Sequence, residues 1–121
     1  DHTYAMRRRV RSNVALFSRM AYSERILAHC ETGGLAAVVE AGYVCLVQGT
    51  ALTRVEHVTQ IPLTFGGKCP FMVENVLAAT LGAYAAGVPV DVLAEGLRRF
   101  VPSGETIPGR MNLLPMADCT V

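Results

Sequence analysis

The stretch that decides the fold lies in the middle of the chain and reads LAAVVEAGYVCLVQGTALTRVEHV from residue 35 to residue 58. It contains three β-prone runs separated by two turn-compatible pairs, Ala41-Gly42 and Gly49-Thr50. The runs are residues 35–39, 43–48 and 52–58. In the last run, Arg54 and Glu56 alternate with Val55, as in a strand with one face in water. The stretch therefore predicts a small three-stranded antiparallel sheet.

The residues before this stretch predict a strand and a helix. The continuous apolar run Val14-Ala15-Leu16-Phe17 is typical of a buried strand in a parallel sheet. Residues 23–31 predict a short helix capped by Ser23. Further upstream, apolar residues are interleaved with a group of arginines, Arg7, Arg8, Arg9 and Arg11. We interpret these arginines as the solvated face of an amphipathic helix rather than a phosphate site, because charge runs usually lie on the surface.

The residues after this stretch predict a helix with two buried faces. Residues 59–63 predict an extended segment, and Gly66-Gly67 predicts a turn, after which a helix begins near Pro70. Helical spacing predicts one core face, made of Val73, Val76, Leu77, Thr80, Leu81 and Tyr84. A second face carries the small residues Ala78, Ala79, Gly82, Ala83 and Ala86. Because small residues let another backbone approach closely, we expect this helix to be buried on two sides.

A second helix begins after Pro89 and is predicted to pack with Leu93, Leu97 and Phe100 inward. The predicted fold class is therefore α/β, with a piece of parallel sheet, the small antiparallel sheet and two packed helices. We predict one unit over residues 1–101, a stiff hinge linker over 102–110, and the first strand of a further domain over 111–121.

Composition excludes several classes of function. Of the 121 residues, 51% are hydrophobic and 17% are charged, so the chain is expected to fold rather than to be disordered. The formal net charge of +1 gives no reason to expect binding to nucleic acid or to an acidic membrane, and no apolar run is long enough to span a bilayer. The four cysteines have no metal-binding spacing, and we interpret them as reduced and mostly buried, in a cytoplasmic protein.

Three polar residues are candidate ligand contacts from the residues alone. Lys68 follows a glycine pair and precedes a helix, so it marks either a plain turn or an anion contact. Asn75 can read an adenine edge or a ribose hydroxyl, or it can satisfy backbone groups near the helix start. Arg110 follows Pro108-Gly109 and can meet a nucleotide or form an ion pair between units. We predict no catalytic residue and no metal ligand, because no phosphate-binding loop and no metal-type histidine spacing is present.

The segment from Gly66 to Ala79, GGKCPFMVENVLAA, resembles the cyanophycin synthetases. The resemblance extends to NVALFS from Asn13, to GGLAAV from Gly33 and to PGRMN from Pro108. It implies a partial Mur-ligase-like central domain followed by the start of a C-terminal domain. Asn75 matches the last Asn of the Mur helix motif H-N-x-x-N, whose first two positions are Phe71 and Met72 here. The resemblance implies that Asn75 and Arg110 lie near the nucleotide.

The resemblance also implies the chemistry of a longer parent protein. That parent is expected to be an ATP-dependent amide ligase, a cytoplasmic homo-oligomer that uses Mg²⁺. Its part resembling this chain is associated with adding arginine to the aspartate side chains of a cyanophycin primer through an acyl phosphate. The resemblance implies that the phosphate-binding loop and the magnesium ligands lie outside residues 1–121, so we expect an inactive fragment. The alternatives are another Mur-type amino-acid ligase and a non-catalytic, proteolysis-resistant assembly fragment.

Overall fold

The computed structural model describes residues 2–109, and the predicted meander forms the centre of their fold. Strands β2 (Leu35–Glu40), β3 (Tyr43–Gln48) and β4 (Ala51–His57) pair antiparallel in chain order. The turn between β2 and β3 uses Ala41 at φ 48° and Gly42 at φ 80°. Two successive positive φ values define the hairpin turn whose twist matches that of the flanking strands. The prediction of a three-stranded antiparallel sheet is confirmed for these strands.

A fourth strand extends this sheet. Strand β1 (Ala15–Ser18) pairs parallel to β2, with Ala15 opposite Leu35, and the order in the single mixed sheet is β1-β2-β3-β4. Helix α2 (Glu24–Glu31) forms the crossover between the two parallel strands. The expectation of a separate three-stranded sheet is therefore replaced by one four-stranded mixed sheet. β1 is also not buried on both sides, because it lies at the sheet edge and Phe17 is 48% exposed.

Helices cover both faces of the sheet. Helix α3 (Pro70–Ala85) and helix α4 (Val90–Arg99) pack on one face, and α2 packs on the other. Because β2 lies between these layers, its Ala36 and Val38 enter the α2 side of the core, and its Ala37 enters the α3 side. The described chain is therefore an α/β structure of three layers, as the sequence predicts.

The core face of α3 is confirmed, but its second face is not buried in the described part of the chain. Val73, Val76, Leu77, Thr80 and Leu81 are buried, whereas Ala79, Gly82 and Ala86 are exposed. Ala79 lines the open groove between α3 and α4, and no element of residues 2–109 buries Gly82 or Ala86. None of the helices within residues 2–109 is long and apolar enough to cross a membrane.

Two local predictions are wrong. Residues 58–64 form two 3-10 turns, Val58–Gln60 and Pro62–Thr64, rather than an extended segment. The ring nitrogen Nδ1 of His57 accepts a hydrogen bond from the backbone N–H of Thr59, which starts the first of these turns. The helix α1 (His2–Met6) ends before the arginines, which lie in the turns that follow it. The predicted strand over 111–121 lies outside the described residues, so the division into units stays a prediction.

Candidate functional site

An apolar groove lies along α3, between this helix, α4 and the second 3-10 turn. Its volume is about 790 Å³. The walls are formed by Ile61, Leu63, Phe71, Met72, Val76, Ala79, Gly96, Leu97, Phe100 and Ile107, with Asn75 as the one side chain that carries an amide. A groove of this size, mostly apolar with one polar group, has the character of a small-molecule site.

Asn75 lies in the second turn of α3, because the helix begins at Pro70. It therefore caps nothing, and the residue at the N-cap position is Cys69. The Asn75 amide nitrogen donates a weak hydrogen bond to Met72 Sδ, at 3.5 Å. Its amide oxygen accepts no hydrogen bond from residues 2–109. The structure thus removes the capping interpretation and leaves the amide oxygen of Asn75 without a hydrogen-bond donor among residues 2–109.

Lys68 lies in the turn between the second 3-10 turn and α3, and the structure does not bring it into the groove with Asn75. The residue is exposed, and no carboxylate among residues 2–109 is paired with it. The preceding Phe65, Gly66 and Gly67 all have positive φ values, of 53°, 70° and 80°. These three left-handed residues form the turn that leads into α3.

Arg110, the third predicted site residue, lies outside the described residues. The last described residue is Gly109, at φ 73°, two residues beyond Ile107 in the groove wall. The structure therefore tests neither the position of Arg110 nor its proximity to Asn75.

Thr64, which follows the groove-lining residue Leu63, is a buried residue that ties together the turns beside the groove. Its side chain is 0% exposed. The Thr64 hydroxyl lies 2.6 Å from the carbonyl oxygen of Val58 and accepts a hydrogen bond from the Gly67 N–H at 3.0 Å. It joins the start of the first 3-10 turn to the turn that precedes α3. The residue type is itself a signal for this role, since threonine side chains commonly form hydrogen bonds with nearby backbone groups at turns.

An ion pair anchors α4, which forms the other wall. Arg98 Nη1 lies 2.5 Å from Glu56 Oε2, and the Glu56 side chain is only 12% exposed. The other carboxylate oxygen of Glu56 accepts from the His57 N–H at 2.7 Å. Burial raises the pKa of Glu56, but the hydrogen bonds from Arg98 and from the His57 backbone outweigh it, so the pKa is lowered overall. Glu56 therefore holds α4 against β4 as a carboxylate.

Two histidines and three cysteines of the described chain have structural environments. His29 Nε2 contacts the carbonyl oxygen of Leu35 at 3.1 Å, and the His57 ring packs edge-on against Tyr43. The cysteines at positions 30, 45 and 69 are free and buried, as predicted. Within residues 2–109, no group of three or more His, Cys, Asp or Glu is placed to hold a metal ion.

The described residues form an α/β segment with an apolar groove that Asn75 lines. No family model matches the chain. Among curated proteins, it is 46% identical over 109 residues to the cyanophycin synthetase of a Synechocystis species, covering 90% of this chain and 12% of that protein. It is 42% identical over 114 residues to the cyanophycin synthetase of a Nostoc species, covering 94% of this chain and 13% of that protein. The cyanophycin synthetase of Geminocystis herdmanii is 37% identical over 116 residues.

These similarities confirm the resemblance to the cyanophycin synthetases. Over nine tenths of its length the chain is a homologue of one segment of these proteins. The chain spans about 13% of the length of the curated relatives it matches.

Proposed function

We propose that the chain forms part of the nucleotide site of a longer ATP-dependent amide ligase, and that the groove along α3 holds the adenine ring of ATP. Homology to the cyanophycin synthetases supports the ligase class. The observation that carries the adenine assignment is that Asn75 lines an otherwise apolar groove and that its amide oxygen accepts no hydrogen bond from residues 2–109. Adenine has flat apolar faces and a polar edge with one amino donor, so its chemistry complements this arrangement.

Each part of the groove has a role in this proposal. Phe71 and Phe100 supply aromatic surface for the faces of the ring, and both are partly exposed in the described chain, at 54% and 41%. The Asn75 oxygen accepts from the adenine amino group, and guanine is rejected because it presents a carbonyl oxygen at that position. Arg110 would lie near the phosphates, and Lys68 is the further candidate for an anion contact. ATP, when bound, supplies the phosphoryl group that activates a carboxylate.

The reaction of the whole protein is also part of the proposal. Its substrates are arginine and the aspartate side chains of a cyanophycin primer, and the amide bond forms after attack of the arginine α-amine on an acyl phosphate. Mg²⁺ is expected in this chemistry. The residues described here do not fit a magnesium site, because no cluster of acidic ligands is present within 2–109. We therefore assign no residue of the described chain to the metal and expect no ATP hydrolysis by the 121-residue chain alone.

The test is an NMR titration of the isotope-labelled 121-residue chain with ATP and with GTP. We expect ATP at millimolar concentration to shift the backbone amide signals of Phe71 to Ala79 and of the Gly96 to Phe100 region, with smaller shifts for GTP. Asn75→Ala should weaken ATP binding by about tenfold, the range for a hydrogen bond lost from a partly enclosed site. Asn13→Ala is the matched control, since Asn13 is also exposed but does not line the groove. Shifts that are equal for ATP and GTP, or that avoid the groove, would refute the adenine assignment.

A non-catalytic assembly role remains the second candidate, because one observation favours it. Helix α3 has Glu74 as its one charged residue, and its Ala79, Gly82 and Ala86 are exposed. A helix that is apolar nearly all round is usually covered. Light scattering across a range of concentrations tests self-association, and a strictly monomeric chain at high concentration would exclude it.

A further inference from the structure

One wall of the groove carries a glycine inside a helix. Gly96 lies within α4, and its carbonyl oxygen accepts a hydrogen bond from the Phe100 N–H at 3.1 Å. Gly96 does not have the positive φ of the glycines that form the turns. A glycine in a helix interior weakens the helix relative to alanine, because its backbone loses more conformational entropy on folding. The conformation of α4 therefore gives no reason for a glycine at this position.

Packing within the described chain does not require this glycine either. A Cβ added at Gly96 would have no heavy atom of residues 2–109 within 4 Å. Gly42 is different, because an added Cβ there would lie 2.5 Å from His57 Nε2. Gly96 is exposed and lines the groove. The missing side chain therefore leaves room inside the groove rather than room for a neighbouring part of residues 2–109.

The residues around Gly96 define the space that it leaves open. Leu97 and Phe100 of α4 line the same groove, and Phe100 lies one helical turn after Gly96. From α3, Asn75 and Ala79 line it and lie one turn apart. Among the groove-lining residues within 2–109, only Gly96 presents backbone with no side chain. A ligand can approach the backbone more closely at a glycine than at any other residue.

We propose that Gly96 is a ligand-contact residue of the groove, against whose bare backbone one face of the planar base packs. This inference rests on the proposed nucleotide function and adds to it, because Asn75 contacts the edge of the base whereas Gly96 makes room for its face. The chain then has a less stable α4 than alanine would give, a common relation between stability and binding at functional sites. A protein segment packed at Gly96 in the parent protein would instead leave ATP binding by the 121-residue chain independent of residue 96.

The test measures stability and ATP binding on the same variants of the 121-residue chain. In urea unfolding, Gly96→Ala should raise the folding equilibrium constant by about two- to fivefold, since alanine is the better helix former. In the NMR titration, the same variant should weaken ATP binding by about tenfold, the lower end of the range for one extra methyl group in an apolar pocket. Gly96→Leu, whose side chain fills more of the groove, should weaken ATP binding further without a loss of stability.

Gly82→Ala is the matched control. Gly82 and Gly96 each precede the last residue of their helix by three positions, and both are exposed. A Cβ added at Gly82 would also have no heavy atom of residues 2–109 within 4 Å, but Gly82 does not line the groove. Gly82→Ala should therefore raise stability to a similar extent, while ATP binding stays within about twofold of that of the unchanged chain.

Failure of the Gly96 contact can be told apart from failure of the adenine assignment. If Asn75→Ala weakens ATP binding and Gly96→Ala does not, the Gly96 contact is overturned and the adenine assignment stands. If ATP shifts no groove signals in the unchanged chain, both are overturned. Equal losses of ATP binding in Gly96→Ala and Gly82→Ala, or a fall in stability for Gly96→Ala, would also overturn the Gly96 contact.

Discussion

Replacing Gly42 by alanine should cost far more stability than the same change at Gly49, although both residues occupy two-residue turns of the meander. Gly42 has φ 80° and Gly49 has φ 60°, so each substitution forces an L-residue into the left-handed region. That conformation costs about 1–2 kcal/mol for a residue with a Cβ. Strain of this kind is common to both variants.

The two positions differ in what the added methyl group meets. At Gly49 a Cβ would have no heavy atom within 4 Å, whereas at Gly42 it would lie 2.5 Å from His57 Nε2. The His57 ring would have to move, breaking its contact with Thr59 Oγ1 and its edge-on packing against Tyr43. Those two interactions are worth about 0.5–1.5 kcal/mol each. We therefore expect the free energy of unfolding to fall by about 2–5 kcal/mol for Gly42→Ala and by about 1–2 kcal/mol for Gly49→Ala.

Urea unfolding followed by circular dichroism measures both values. The double variant Gly42→Ala, His57→Ala separates the two causes, because the clash is absent once the ring is removed. Its cost should be clearly less than the sum of the two single costs. Equal losses for Gly42→Ala and Gly49→Ala, or strict additivity in the double variant, would refute the assigned contact between Gly42 and His57.

Three further predictions concern the core and the walls of the groove. Leu77→Ala should lower the free energy of unfolding by about 2–5 kcal/mol because Leu77 is 0% exposed, while Leu52→Ala, at 44% exposure, should cost below about 1 kcal/mol in the same urea assay. The pKa of Glu56 is lower in the folded chain than its ordinary value of 4.5, so its contribution to stability is present above that value and is lost as the pH falls through the folded pKa. In urea unfolding at several pH values, Glu56→Gln should therefore reduce the loss of unfolding free energy on acidification. Arg98→Gln should have the same effect, because the ion pair with Arg98 contributes to the lowered pKa. Thr64→Val should lower the free energy of unfolding by about 1–3 kcal/mol, because it leaves buried backbone groups without their hydrogen-bond partner. Thermal unfolding measures this loss, with Thr64→Ser, which keeps the hydroxyl, as the control.

The sequence predicts the local structure of the chain well where short-range patterns determine it. The runs and turns of residues 35–58 specify the hairpins, because two-residue turns join strands that are adjacent in sequence. The spacing of Val73, Val76 and Leu77 specifies the core face of α3. The turns and the helical spacing are both local patterns that a single sequence displays directly.

The parts that were missed depend on how separate elements meet. The sequence identifies the β1 strand but not its joining to the meander, because parallel pairing is set by the crossover helix α2 rather than by a turn. The small residues of α3 predict a close neighbour, but Ala79, Gly82 and Ala86 are exposed within the described chain. Asn75 was identified as a candidate from its residue type, whereas the apolar walls around it arise only when α3, α4 and the 3-10 turns pack together.

The two connections of strand β2 to its neighbours in the sheet have a consequence for the order of folding. On one side β2 meets β3 across a two-residue turn, and on the other it meets β1 across the whole of α2. Closing the short turn costs little chain entropy, whereas closing the crossover costs more and yields only four paired residues. The hairpins should therefore form first and serve as the template onto which β1 docks late. Pulsed hydrogen exchange during refolding should accordingly protect the amides of β3 before those of β1.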